Sequence, residues 1–196
     1  MIRLLRYVAN LMNTPQSRGV FGEMIVSSIF DYRFFGKDEH YIVNDIILET
    51  SDGKTHQIDH VVIYKTGIFC IETKHIEGLI IGNQNLKMWK VYNGKEPYEI
   101  YNPIKQNEKH VAVLSEFIQW KHNINSVVVF TKSNKPKDCG ENVLNLEELK
   151  DYVKNYPFEK EITSDEMKNV FDSLTTYKNE SDITKEAHRR SIKKSR

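Results

Sequence analysis

Two short runs set the terms for any fold this chain can adopt. They are Val61-Val62-Ile63 and Ile68-Phe69-Cys70-Ile71, joined through Tyr64, Lys65-Thr66 and Gly67. A strand with one wet face alternates apolar and polar residues, and these runs do not alternate. Both strands must therefore be covered on both faces. The two residues Lys65-Thr66 make a tight antiparallel turn, so the runs form a hairpin of about His56 to Tyr64 and Gly67 to Lys74. A sheet buried on both sides needs helices above and below it.

The remainder of the chain supplies them. Gly19 to about Phe35 reads as a helix after a polar Pro15-Gln16-Ser17 loop, with Met24, Ile25, Ser28 and Ile29 at near-helical spacing. Tyr41 to Leu48 is β-rich and closes on Ser51-Asp52-Gly53. Glu77 to Ile100 is broken by Gly78, Gly82, Asn93-Gly94 and Pro97, which predicts a β-excursion or long loop. Asn102-Pro103 opens a helix to about Lys121. Ser126 to Thr131 is a buried strand, Val143-Leu144 a short one, and helical patterns follow at Leu146–Tyr156 and Ser164–Tyr177. The expected class is α/β, a mixed (α+β) sheet flanked by helices. Its expected parts are an N-terminal helix or arm over 1–18, a core over 19–131, a completing strand and helices over 132–178, and a basic, disordered tail over 179–196.

Composition bounds function only loosely. The net charge is +1 over 196 residues, so no global field argues for a polyanion or a membrane. No apolar run reaches the roughly 20 residues that cross a bilayer, and no membrane partner is expected. The short apolar pieces around Arg3 and Arg6 read as an amphipathic surface helix. Cys70 and Cys139 are too few for a disulfide framework, which fits a reducing cytoplasm.

The hairpin carries the chemistry. With Tyr64 facing Gly67, counting outward sets Asp59 opposite Glu72, on one face and with Cβ atoms ~4.5–5.5 Å apart. A bulge at Gly67 would slip that register by one residue. Two carboxylates so close repel unless a cation lies between them, and Mg²⁺ or Mn²⁺ accepts such ligands together with water and phosphate oxygens. Lys74, two residues beyond Glu72, shares its face and could orient a water or stabilise charge on a phosphate. The plainer alternative is an exposed hairpin end with a cross-strand salt bridge.

Four blocks in order bear on that choice: Arg18-Gly19-Val20-Phe21-Gly22-Glu23, Gln57-Ile58-Asp59-His60, Gly67 through Lys74, and Asn102-Pro103-Ile104-Lys105-Gln106. Together, with Gly78 and Trp89, they resemble the nuclease-related domain (NERD) family, a branch of the PD-(D/E)XK superfamily. The resemblance implies a restriction-endonuclease-like core and metal-dependent hydrolysis of nucleic acid, DNA before RNA. By position it implies Asp59, Glu72 and Glu23 as metal ligands, Lys74 as the catalytic lysine, and Gln106 as a hydrogen-bonding partner of water or phosphate. Ile58 stands where the superfamily's name has proline.

Other residues have plainer readings. His60, on the face opposite Asp59, reads as a packing or hydrogen-bonding residue and not a ligand. His110 lies one turn after Gln106, with a site-facing or a core role equally open. His56 and His75 read as solvated strand ends, Trp89 as a core anchor, and Gly19 and Gly22 as allowing close packing of the first helix. Arg189, Arg190, Lys193 and Lys194 form either a solvated tail or a loose phosphate-binding arm. The rival functional reading is a nucleic-acid-binding or interaction module on the same fold, with little or no cleavage.

Overall fold

In the computed structural model, which describes residues 14–31, 35–94, 96–119, 124–158 and 160–194, with Pro15 and 183–194 described by backbone alone, helix α1 spans Pro15–Ile29. It begins before Gly19 because the supposed loop is its cap. The Thr14 side chain accepts from the Ser17 N–H at 3.2 Å, Ser17 reciprocates to the Thr14 N–H, and proline fits the first turn. The arm expected over 1–18 lies outside the described residues as far as position 13.

Strands β1 (His40–Glu49), β2 (Thr55–Tyr64) and β3 (Gly67–Lys74) form an antiparallel meander. The β2–β3 register is the one the two-residue turn predicts: Tyr64 pairs with Gly67, and the ladder runs to His60 opposite Ile71 without a bulge. β7 (Ile124–Phe130) adds parallel to β3, and β8 (Val143–Asn145) parallel to β7, giving a five-stranded mixed sheet β1-β2-β3-β7-β8. The mixed sheet flanked by helices is thus the observed architecture.

Both faces of the central strands are buried, as their lack of alternation requires. Val61, Ile63, Ile68 and Cys70 pack against Val113 and Leu114 of helix α2 (Pro103–Ile118) and against Met167, Val170 and Leu174 of helix α4 (Ser164–Lys194). On the opposite face Val62, Tyr64, Phe69 and Ile71 meet Val26 of α1 and Leu149 and Val153 of the short helix α3 (Leu149–Lys154). Val62 is fully buried there. Val62→Ala should therefore cost about 2–3 kcal/mol, as deletion of buried methyl groups does; urea unfolding of the two proteins checks it.

The excursion is a second sheet. β4 (Leu79–Ile81), β5 (Met88–Tyr92) and β6 (Tyr98–Tyr101) pair antiparallel. Trp89 anchors it, fully buried and stacked on Phe130 with ring centroids 6.3 Å apart. A Cβ at Gly82 would come within 2.2 Å of the Trp89 ring, so only glycine lets the strand end pass that close.

α2 starts as expected, with Asn102 as its cap accepting from the Ile104 N–H at 2.9 Å. α4 departs from expectation. Its backbone stays helical through Lys194, beyond Asn179, after which the sequence predicts a disordered tail. Apolar periodicity ends near Tyr177, but Lys185, Glu186, Ala187, Arg189 and Arg190 are strong helix formers, and propensity outlasts the periodic signal. Among the described residues no helix is long and apolar enough to cross a membrane.

Candidate active site

The site grows from a defect in the sheet. Val43 and Ile46 of β1 line the same core, as do Ile58 and Val61 of β2, so each strand's alternation slips once. The paired residues pass from Asn44–His60 to Ile46–Ile58, and Asp45 and Asp59 are left between them. Asp45 takes the slip in its backbone, at φ 48°, a left-handed conformation that aspartate tolerates better than most residues. At this point β2 also parts from β3, since their ladder ends at His60–Ile71.

Asp59 closes the gap. Its Oδ2 accepts the Thr73 backbone N–H at 2.8 Å, where a continuing ladder would supply a carbonyl. Asp59 is therefore not a simple ladder partner of Glu72. It sits at the fork of the two strands, with its carboxylate turned toward the backbone of β3.

Glu72 and Lys74 point from β3 toward α2. Glu72 is 3% exposed. The Lys74 ammonium donates to Glu72 Oε1 at 2.6 Å and to Gln106 Oε1 at 3.2 Å. His110, one turn further along α2, brings Nδ1 to 3.4 Å from Glu72 Oε2. The structure thus brings Asp59, Glu72, Lys74 and Gln106 to one fork, and it adds His110.

Glu23 arrives from the other layer. A Cβ at Gly22 would meet the His75 Cβ at 2.6 Å and Thr131 Oγ1 at 3.3 Å, so the missing side chain sets how closely α1 rides over the end of β3. Gly19 is roomier: a Cβ there would come no closer than 3.9 Å, to Glu23 Oε1. The close approach places Glu23 within the field of the other carboxylates. Partial burial, then Asp45, then Glu72 raise its pKa above the ordinary value.

The charges are unevenly shared. Burial, with repulsion from Glu72 and Glu23, pushes Asp59 up to about 7, against the opposing Thr73 N–H and Lys74. Burial works on Glu72 in the same direction, but the His110 contact and Lys74 outweigh it and hold Glu72 below the usual carboxylate range. Glu72 is the ionised member of the pair, and Asp59 the one in want of a positive neighbour.

His60 holds the packing and hydrogen-bonding role expected of it. His60 is buried, and its Nδ1 donates to Asn44 Oδ1 at 2.7 Å; burial drives its pKa down to about 4. His75 is not a solvated strand end. Its Nδ1 lies 2.8 Å from Thr131 Oγ1 and its ring meets Phe21 edge-on at 5.5 Å, because the glycine at 22 lets α1 close over it. His56 stands edge-to-face with His110 at 6.1 Å.

Sequence reasoning passed over Asp45 and Asn107. Gln57 Nε2 donates to Asp45 Oδ1 at 2.8 Å, fixing the slipped strand. The buried Asn107 amide donates to Cys70 O, Ser126 Oγ and Val127 O at 2.8, 3.0 and 3.1 Å, fastening α2 to β3 and β7. The side chains of Arg189, Arg190, Lys193 and Lys194 lie outside what is described.

Among the described residues no three His, Cys, Asp or Glu side chains stand assembled as a metal cage. The Lys74 ammonium instead occupies the cation's natural place beside Glu72 Oε1. The donor set nonetheless suits a hard divalent ion, which takes one or two protein carboxylates and fills its remaining positions with water and phosphate. The buried Glu72 carboxylate, one of whose oxygens has no aligned hydrogen-bond partner, and Asp59, raised by burial and by its neighbouring carboxylates, are the groups such an ion would satisfy.

A sequence model for the family described as nuclease-related domain (NERD) matches residues 18–131, the stretch from α1 to the end of β7. A Bacillus anthracis protein described as uncharacterised is 26% identical over 167 residues, covering 83% of this chain and 77% of its own. Among solved structures, the small subunit of the heterodimeric restriction endonuclease R.BspD6I aligns over 87% of each chain, at 13% identity and a TM-score of 0.34.

Proposed function

Because the chain belongs to the nuclease-related domain family, we propose that it is a metal-dependent nuclease that hydrolyses phosphodiester bonds of nucleic acid, DNA before RNA. The observation that carries this reading is the fork itself. A buried ionised Glu72, the Asp59 carboxylate and the Lys74 ammonium meet where two central strands separate, with Gln106 hydrogen-bonded to the lysine.

Asp59, Glu72 and Glu23 would hold Mg²⁺ or Mn²⁺. When bound, such an ion polarises the phosphate and lowers the pKa of a coordinated water. The chain's own groups do the rest. Lys74, released from Glu72, would orient the attacking water or stabilise charge on the phosphate oxygens. Gln106 holds the lysine or the water in line. The basic end with Arg189, Arg190, Lys193 and Lys194 would add phosphate contacts that carry no sequence information. Two free, buried cysteines suit a cytoplasmic setting.

One observation favours a rival, a nucleic-acid-binding module that does not cut: Lys74 already satisfies Glu72 Oε1 without an ion. One experiment separates the two. Purified protein is incubated with labelled single-stranded, duplex and branched DNA, and with RNA, with Mn²⁺ or with chelator. Cleavage of DNA only in Mn²⁺ supports the nuclease. Retardation of DNA without cleavage under any divalent ion supports the rival.

A further inference from the structure

Glu72 has two oxygens and unequal company. Oε1 is taken by Lys74, while Oε2 faces His110 Nδ1 across 3.4 Å. Both Oε2 and Nδ1 are buried, and among the described residues neither has an aligned hydrogen-bond partner. Leaving an ionised oxygen and a ring nitrogen facing each other unpaired is costly in a buried site, and a small rotation would join them. The same rotation would turn the whole carboxylate. α2 is well fixed for the purpose, because the Asn107 amide, three residues before His110, is bonded to both β3 and β7.

We propose that His110 is a positioning residue for Glu72, holding its second oxygen so that the carboxylate keeps its direction when Lys74 leaves the first. During turnover as proposed above, Lys74 must release Glu72 to act on water or phosphate. His110 is then the remaining side chain within reach of that carboxylate among the contacts described. It need touch neither substrate nor ion. Partners of this kind, behind a metal ligand, typically govern affinity by 10–100-fold.

The contact itself does not depend on metal, although its use in turnover rests on the nuclease reading, so the test has two arms. In the metal-free arm, thermal melts are recorded for wild type, His110→Leu, Glu72→Gln and the double variant. A positioning contact makes the two changes non-additive by about 3 °C or more. A packing role for the imidazole gives the same loss in both backgrounds, and that additivity would overturn the proposal. In the second arm, Mn²⁺ affinity is measured by calorimetry for wild type, His110→Leu and His110→Asn. Asparagine can place an N–H near the position of Nδ1. His110→Leu should weaken Mn²⁺ binding about 10-fold or more, and His110→Asn should recover most of it. Equal weakening in both variants, or none in His110→Leu, would overturn it. A wild type that takes up no Mn²⁺ defeats the metal reading instead, and the melts still decide the positioning role.

Discussion

Lys74→Ala should cut DNA at least about 10²-fold more slowly than wild type, while its affinity for Mn²⁺ does not fall. The separation follows from where the ammonium sits. Its contacts are Glu72 Oε1 and Gln106 Oε1, not Asp59, so removing it deletes no proposed ligand and uncovers one. A group used mainly in the transition state lowers turnover more than ground-state binding. The same change strips the buried Glu72 of its strongest partner, so the metal-free variant should melt lower than wild type and recover when Mn²⁺ is added. Single-turnover cleavage and calorimetry on one preparation provide both numbers. A variant that cuts at the wild-type rate would remove Lys74 from the mechanism.

Asp59→Asn should abolish cleavage and yet raise the metal-free melting temperature at pH 8. Asp59 has its folded pKa raised to about 7 from an ordinary 3.8. A carboxyl raised in this way contributes stability that is present below its unfolded pKa and lost as pH climbs through the folded one. At pH 8 the wild type therefore carries the whole cost of burying the Asp59 charge beside Glu72 and Glu23, on the order of 2–4 kcal/mol, and asparagine removes it while its oxygen can still accept the Thr73 N–H. The advantage should shrink as pH falls from 7 toward 4, because the wild-type carboxylate then takes up its proton.

His60 acts with the opposite sign. Its pKa is depressed to about 4 from 6.5, so the folded state resists protonation, and stability is lost as pH drops through that interval. In the wild type the two trends oppose each other. In Asp59→Asn the opposing contribution of Asp59 is gone, and its stability should fall more steeply than that of the wild type between pH 6.5 and 4. Melting curves across that range decide the matter. A lower melting point for Asp59→Asn at pH 8 would make the carboxylate a structural fastener of the fork instead.

The parts of this molecule that were legible in its sequence are those fixed by short-range geometry. A two-residue turn between apolar runs leaves the β2–β3 hairpin one natural register, and that register is observed. Asn102-Pro103 marks the start of α2 because a capping side chain and a preset φ both act within one turn. Thr14 and Ser17 form an equally local cap, but Pro15 beside polar residues also resembles a loop, and only the docking of α1 on the sheet distinguishes the two.

The site was half legible for the same reason. Glu72 and Lys74 share a face by strand periodicity alone. The turn of Asp59 toward Thr73 was not visible, because it depends on a slip shared by two strands. Its trace in the sequence is Asn44-Asp45 inside an otherwise apolar run, residue types that accept a left-handed backbone. His110 was visible as a position, one turn beyond Gln106. That it meets Glu72 depends on how deeply α2 settles on the sheet, which the buried Asn107 fixes through bonds to strands distant in sequence. Long-range contacts of this kind leave no local pattern.

The proposed function turns on the carboxylates at the fork holding a divalent ion. It is tested most directly by titrating millimolar Mn²⁺ into wild type, Asp59→Asn and Glu72→Gln in a calorimeter, without nucleic acid. An ion held at the fork gives a saturable site in the wild type that both substitutions abolish or severely weaken. Uptake by Asp59→Asn equal to wild type, or a wild type that binds no Mn²⁺, would contradict it.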